Sequence, residues 1–239
     1  MVNTTQAIQR KLNKVMEYKK DFLTRLENGE EFHVKCQNGN SKTGKNVRTV
    51  SLVPIMDCQN CSCCKGECYD INNDFRQFKD IYIDRARNSA IHEFNISQYW
   101  ADVELDIRYN CTFLLRVNVG GDCTYADFGY LYDIAERNPK CEILLFTKNY
   151  DDVNQFIDDK GKLPSNLHII WSRWIGLEGN NKHNLPEAHV LYSDGTTTAP
   201  EYGAYLCNGG KEWDCSKCHY NNEGCWTLKP GESVVFRAH

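Results

Sequence analysis

Four short apolar runs alternate with helical segments in the middle of the chain, and this alternation limits the fold more than any other feature. The runs are TFLLRVNV (112–119), EILLFT (142–147), LHIIW (167–171) and AHVLY (188–192). Strands that lack polar alternation are typical of parallel sheets whose two faces are both covered. Segments with helical periodicity, 125–137 and 151–159, separate the first three runs. The sequence therefore predicts an α/β fold with a parallel sheet.

The first part of the chain continues this pattern. Helical periodicity over about 4–28 ends at Gly29, and an alternating β-branched segment at 46–54 predicts a first core strand. Two further helices are predicted over about 71–88 and from a cap at Asn95 or Ser97. We therefore expect a single α/β domain of 239 residues, a complete or partial TIM-like barrel. Its parts are an N-terminal helix and loop (1–40), a barrel-like core (41–200) and a cysteine-rich metal-binding tail (201–239).

Polar residues follow each of the four runs, where α/β folds place their binding and catalytic groups. A glycine pair lets a ligand approach the backbone closely, a carboxylate can coordinate, and a cation can hold an anionic group. The predicted catalytic residues are Asp122, Lys148 and Arg173, and the predicted cofactor-binding residues are Gly120, Gly121, Ser172 and Trp174. An ordinary turn, solvated surface cations and a core tryptophan are the competing interpretations.

Thirteen cysteines in one chain are a second strong constraint. The N-terminal segment has no apolar stretch of the secretory kind, which predicts a reducing compartment where stable disulfides are rare. An odd number of thiols also cannot pair completely within one chain. Clustered cysteines under these conditions indicate metal binding or redox chemistry.

Four of the cysteines lie close together in the tail, as Cys207-x7-Cys215-x2-Cys218-x6-Cys225. A C-x-x-C pair brings two thiolates to one tight turn, and two further thiolates complete a set of four soft ligands. Zinc and an iron–sulfur cluster both fit such a set, and the spacing does not separate them.

The segment 58–68, which we call the cysteine loop, holds Cys58, Cys61, Cys63, Cys64 and Cys68. Five thiols exceed what one metal centre needs, so some of them are spectators. Three cysteine ligands would leave one iron of a cluster open to a substrate. The spacing C-x3-C-x2-C of common radical S-adenosylmethionine enzymes is absent, which counts against S-adenosylmethionine as a cofactor.

The remaining candidates have plainer interpretations. Cys111 and Cys141 flank apolar strands and are expected to be small buried residues, whereas Cys123 is open to either role. His168 and His189 lie within apolar strands and are expected to be core histidines with satisfied nitrogens. The net charge of −4 gives no reason to expect nucleic-acid binding, and no apolar run is long enough to span a membrane.

Seven segments follow one another in a recognisable order. They are NSKTGKNVRTVSLVP before a cysteine cluster ending in CYD, then FNISQYW, NVGGD, LLFTKNYDDVN, LPSNLHIIWS, NLPEAHVLYSDGTTTA and GCWTLKPGESVVF. Together they resemble the bacteriophage gene product 88 domain family, found in phages and prophages. The resemblance extends from about Asn40 to His239, and the order of the motifs makes it specific.

This resemblance implies a set of ligands, although the family is largely of unknown function. Its three-cysteine motif, which ends in cysteine–tyrosine, corresponds to Cys58, Cys64 and Cys68, followed by Tyr69. Its C-terminal cysteine set corresponds to the four tail cysteines. The family is distantly similar to radical S-adenosylmethionine enzymes, which implies a partial barrel with cysteine-bound clusters. A phage origin implies the cytoplasm of an infected bacterium.

We therefore expect an iron–sulfur enzyme of redox or radical type, with [4Fe–4S] as the expected cluster and a small-molecule substrate or redox partner. Whether the cysteine loop and the tail share one cluster or build two is left open. A zinc-stapled module that binds a host protein or nucleic acid is one alternative. A non-catalytic iron–sulfur protein that transfers electrons or senses redox state is another.

Overall fold

An eight-stranded sheet forms the centre of the computed structural model, which describes residues 4–62, 64, 68, 70–71, 79–209 and 213–238. The strands are β1 (Gln37–Asn38), β2 (Val47–Val50), β3 (Leu114–Val117), β4 (Glu142–Thr147), β5 (Leu167–Ser172), β6 (Glu187–Leu191), β7 (Ala204–Leu206) and β8 (Ser233–Arg237). Their order in the sheet is β1-β2-β3-β4-β5-β6-β8-β7. Among the described strands, only β1 and β2 pair antiparallel, so the predicted α/β class with a parallel sheet is confirmed.

Closure of the sheet into a barrel is not seen. The described strands pair in a linear order in which β1 and β7 are the two ends. The described residues therefore form a mixed α/β fold around one sheet, and a closed TIM-like barrel is not shown. The successive strands β2 to β6 are neighbours in space, as the alternation of apolar runs and helices requires.

Six α-helices accompany the strands in the described part of the chain. They are α1 (Thr4–Glu27), α2 (Lys79–Phe94), α3 (Ile96–Tyr109), α4 (Tyr125–Arg137), α5 (Tyr150–Lys160) and α6 (Cys215–Tyr220), with a short 3-10 helix at Gly224–Trp226. The predicted cap at Asn95 is confirmed, because its side chain accepts a hydrogen bond from the backbone N–H of Gln98 at 3.0 Å. Of the helix predicted over 71–88, residues 72–78 lie outside the described residues, and α2 continues to Phe94.

The two faces of the sheet are covered in different ways. On the helical face, α2 to α5 pack against alternate strand residues, including Leu115, Leu145 and Ile169. On the opposite side, the tail face, the strand residues include Leu114, Leu144 and Ile170. These residues pack against tail residues that include Cys218 and Trp226. A strand therefore alternates between a helical and a tail contact along its length.

The tail contributes more than a metal-binding appendage. Strands β7 and β8 join the sheet, and β8 lies between β6 and β7. The segment SVVFR of β8, which follows Gly231 and Glu232, lies in the stretch predicted as a metal-binding tail. Its pairing with β6 and β7 shows that the sheet extends past residue 200, where the barrel-like core was expected to end.

Candidate metal and substrate site

A cavity of about 170 Å³ lies beside the carboxyl ends of β3 and β4. Most of the predicted site residues line this strand-end cavity: Cys58, Cys64, Cys68, Gly120, Gly121, Asp122, Lys148 and Trp174. Cys61 also lines it, while Cys63 and Tyr69 lie outside the described residues. The cysteine loop and the loops that follow two strands thus meet at one place, as expected for the carboxyl edge of a parallel sheet.

Asp122 ties these loops to one another. Its backbone N–H donates to the carbonyl of Asp57 in the loop after β2, at 2.8 Å. Its carboxylate accepts hydrogen bonds from the backbone N–H groups of Cys123 and Lys148, both at 2.8 Å. Burial raises the pKa of Asp122, and these hydrogen bonds oppose that shift. The structure therefore gives Asp122 a definite positioning role at the strand ends.

The glycine pair is explained by close packing on both sides. A side chain at Gly120 would overlap the carboxylate of Asp70, which pairs with Arg85. Gly121 has a φ of +84°, and a Cβ atom there would lie 2.7 Å from the Cβ of Leu52. Larger residues would therefore displace the cavity wall at both positions.

Two cations line the same cavity. The ammonium of Lys148 lies 5.1 Å from the ring centroid of Trp174, and the guanidinium carbon of Arg116 lies 5.1 Å from that of Phe146. Within the described part of the chain, no carboxylate forms an ion pair with either cation. Arg116 is not among the predicted site residues, although a charged residue within an otherwise apolar strand is a signal for such a role.

The described thiols of the cysteine loop are half-buried, and three of them, Cys58, Cys64 and Cys68, are close enough to influence one another. Burial raises the pKa of Cys58 to about 12 and that of Cys68 to about 11. The Cys68 sulfur adds to the shift at Cys58, and the Cys64 sulfur adds to the shift at Cys68. At neutral pH these thiols are protonated unless a cation draws off their protons.

The four tail cysteines form a second group on the tail face. Burial raises the pKa of Cys215, Cys218 and Cys225, and the sulfur of Cys207 contributes to each of these shifts. Two of the sulfurs accept hydrogen bonds: the indole N–H of Trp213 donates to Cys218 at 3.0 Å, and the backbone N–H of Gly209 donates to Cys207 at 3.4 Å. All four predicted tail ligands therefore lie near one another.

Arg116 stands between the two cysteine groups. Besides lining the strand-end cavity, it lies close enough to Cys215 and Cys225 to lower the pKa of each thiol against the effect of burial. Its Nε atom is buried without a hydrogen-bond partner among the described residues. Negative charge on these sulfurs, which metal binding would provide, would stabilise a guanidinium in this setting.

As the side chains stand, the described residues include no group of three or more His, Cys, Asp or Glu placed to hold a metal ion. The donor chemistry of both groups nevertheless fits thiolate ligation, since each gathers at least three cysteines and the tail sulfurs already accept N–H donors. Binding of a cluster would require these thiols to move closer together.

Two predicted residues lie away from the strand-end cavity. Arg173 donates to the Glu187 carboxylate at 2.7 Å and to the Gly179 carbonyl at 2.8 Å, and it lines a separate cleft of about 800 Å³ beside β6. Ser172 lines neither space, and its carbonyl accepts a hydrogen bond from the Tyr150 hydroxyl at 2.6 Å. Trp174 lines both the cavity and the β6 cleft.

Several simpler predictions are also decided by the structure. Cys141 is buried as expected, but the prediction for Cys111 is wrong, because Cys111 is exposed in a turn with a positive φ after α3. Cys123 is fully buried and accepts a hydrogen bond from Asn118 at 3.3 Å. His168 pairs with Glu142 at 2.6 Å. His189 is buried, but the expectation that both its nitrogens are satisfied is wrong, since Nε2 has no hydrogen-bond partner among the described residues.

A parallel α/β sheet with one group of thiols at its strand ends and another on one face defines a cysteine-rich α/β protein. Within this class the chain belongs to the gene product 88 family, whose model, described as "Gene product 88", matches residues 26–190. The matched residues include the cysteine loop and most of the strand ends, and they stop before the tail cysteines. Comparisons with curated proteins and with solved structures gave no match. Among the described helices, none has the length and apolar character needed to cross a membrane.

Proposed function

We propose that this protein is an iron–sulfur enzyme of redox or radical type, with one cluster in the cysteine loop and a second in the tail. The observation that carries the proposal is the convergence of Cys58, Cys64 and Cys68 on one cavity with the strand-end residues. Loops at this edge of a parallel sheet are the usual place for catalytic groups. The linear order of β2 to β6, with helices on one face, also supports an incomplete barrel.

The cysteine loop would hold the cluster that meets the substrate. Three cysteine ligands leave one iron without a protein ligand, and such an iron supplies Lewis-acid or electron-donating chemistry. The Lys148 ammonium, held against the ring of Trp174, would bind an anionic part of the substrate in the cavity. Asp122 would keep the cysteine loop and the ends of β3 and β4 in register.

The tail would hold a fully ligated cluster on Cys207, Cys215, Cys218 and Cys225. The N–H groups of Trp213 and Gly209 that donate to tail sulfurs would raise the reduction potential of such a centre. Arg116 would offset part of the negative charge of the tail cluster, and it also lines the strand-end cavity. The two groups are thus better suited to two centres than to one shared centre.

Iron and sulfide analysis of the anaerobically purified protein tests the proposal. We expect about eight iron and eight sulfide per chain, since each [4Fe–4S] cluster carries four of each. The double variants Cys58→Ser/Cys68→Ser and Cys215→Ser/Cys225→Ser should each retain about four iron. Cys111→Ser, which changes an exposed and isolated thiol, is the matched control and should retain the full content.

Other metal contents would point to the competing functions. A colourless protein that carries only zinc would overturn the proposal and favour a zinc-stapled module that binds a host protein or nucleic acid. Reversible reduction without turnover of any substrate would favour electron transfer or redox sensing. Cleavage of S-adenosylmethionine by the reduced protein, lost in Cys58→Ser/Cys68→Ser but retained in Cys111→Ser, would identify the radical form of the enzyme.

A further inference from the structure

The β6 cleft contains a pair of side chains that the proposed iron–sulfur chemistry does not use. Glu187 and His189 are alternate residues of β6, so both project on the same side of the sheet, opposite to Ala188 on the tail face. Both line the cleft of about 800 Å³, together with Arg173 and Thr198. His189 is only 2% exposed, so its ring nitrogens have little access to water and need partners within the protein or a bound ligand.

Each side chain is held by one atom and leaves another atom unused. His189 Nδ1 is hydrogen-bonded to Thr198 Oγ1 at 2.9 Å. Glu187 Oε1 accepts hydrogen bonds from Arg173 at 2.7 Å and from Asn181 at 3.0 Å. The remaining atoms, His189 Nε2 and Glu187 Oε2, lie 3.5 Å apart. Nε2 is buried and has no hydrogen-bond partner among the described residues.

The separation of 3.5 Å would suit an ion pair if His189 were protonated, but burial lowers the pKa of His189 and favours its neutral form. A direct N–H···O hydrogen bond spans about 2.7–3.2 Å, so the observed gap is too long for one. An sp3 ammonium that donated to both atoms at ordinary hydrogen-bond length would need them about 4.6 Å apart. A zinc ion with bonds of about 2.1 Å at a tetrahedral angle sets its nitrogen and oxygen ligands about 3.4 Å apart.

We propose that Glu187 Oε2 and His189 Nε2 bind one divalent transition-metal ion, with zinc the best match, at the wall of the β6 cleft. The hydrogen bonds to Thr198, Arg173 and Asn181 then orient the two ligands, as outer partners of metal ligands usually do. Arg173 donates to the other carboxylate oxygen and therefore does not occupy the metal position. Water or a bound ligand from the cleft, which Glu178 also lines, would fill the remaining coordination positions of the ion.

Anomalous diffraction at the zinc edge, from crystals of the anaerobically purified full chain soaked in zinc chloride, tests this site directly. We expect a peak bonded to His189 Nε2 and Glu187 Oε2. Zinc counted per chain after equilibration at micromolar zinc should fall by one in His189→Ala. It should stay unchanged in His183→Ala, the control, since His183 lies outside the cleft and pairs with Asp158.

Two further variants keep the test decisive if His189→Ala does not fold. Glu187→Gln retains an oxygen that can accept from Arg173 and should also lose one zinc per chain. Thr198→Val should weaken zinc binding about 10–100-fold, the usual effect of removing a partner that orients a ligand. Equal zinc counts in the wild type and in all cleft variants, zinc found only at cysteines, or binding only at millimolar zinc would overturn the proposal. Iron analysis is a separate measurement, so failure here leaves the proposed iron–sulfur function standing.

Discussion

The helical face and the tail face of the same sheet are covered by different kinds of structure. On the helical face, four helices of 11 to 16 residues bury aromatic and aliphatic side chains against the strands. On the tail face, the cover is a helix of six residues, a 3-10 helix of three residues and irregular chain. Helices this short are not stable by themselves in water. The helical face is therefore covered by helices with extensive apolar packing, whereas the tail face has little regular structure of its own around its cysteines.

Metal removal should produce the largest difference in hydrogen-exchange protection between the two faces. If the tail cysteines hold a metal, its loss removes binding free energy of about 10 kcal/mol, the lower end for structural zinc sites. We expect chelation to abolish hydrogen-exchange protection over residues 204–237 while α4 and α5 remain protected. Cys215→Ser/Cys225→Ser should reproduce this pattern and Cys111→Ser should not. Protection of the tail that survives complete metal loss would show that both faces are stabilised by packing alone.

The pH dependence of metal binding should show the same contrast. Because burial raises the pKa of Cys215, Cys218 and Cys225, these thiols are protonated at neutral pH in the metal-free protein and must release protons on binding. If three protons are released per zinc bound, the binding free energy at the tail becomes more favourable by about 4 kcal/mol for each unit by which the pH rises, as long as the pH stays below these pKa values. Calorimetric titration of metal-free protein in buffers of different ionisation enthalpy measures the number released. Binding that is independent of pH between 6 and 8, the range tested, would contradict protonated thiols.

Matched core truncations should sharpen the comparison further. Leu131 on α4 is fully buried on the helical face, and Leu144 on β4 is buried at 1% exposure on the tail face. Replacement of either by alanine should cost about 3 kcal/mol of unfolding free energy in the metal-loaded protein. In the metal-free protein we expect Leu131→Ala to keep this cost and Leu144→Ala to lose most of it. Denaturant unfolding of both variants, with and without metal, makes the measurement.

The smallest expected effect lies entirely on the helical side. Asn95→Ala removes the side-chain acceptor at the start of α3 and should cost about 1 kcal/mol. Since the buried residues of α3 pack in the core of the helical face, this cost should be the same with and without metal. A cost that appears only in the metal-loaded protein would indicate coupling between the two faces.

The difference between the faces also explains how far the sequence predicts the structure. Helix α4 was predicted at the bounds observed, 125–137, because its apolar periodicity spans several turns. The strand at 142–147 was also predicted at its observed bounds, and the strand predicted over 167–171 ends one residue later, at Ser172. In contrast, β7, β8 and α6 were not predicted, because they are short segments within the cysteine-rich tail, where glycine and polar residues interrupt the apolar pattern.

The candidate site was predicted unevenly for a related reason. Residues that follow a recognisable strand, such as Asp122 and Lys148, were placed at the cavity because the edge of a parallel sheet is a known location. Arg173 also follows a strand, yet it turns toward Glu187 and the β6 cleft. Only the three-dimensional path of the loop decides such a choice. The free nitrogen of His189 was likewise invisible in an apolar strand, since burial alone does not reveal hydrogen-bond partners.

The position of β8 between β6 and β7 has a consequence for synthesis on the ribosome. Of the described strands, β7 pairs only with β8, yet β7 is made about thirty residues earlier. One edge of β6 must therefore stay unpaired until residues 233–237 leave the ribosome. By then the tail cysteines have already been synthesised. Metal binding by the tail cysteines could thus precede the pairing of β8. A chain that stopped before residue 233 would lack the partner strand of both β6 and β7, and the open edge of β6 would be prone to association.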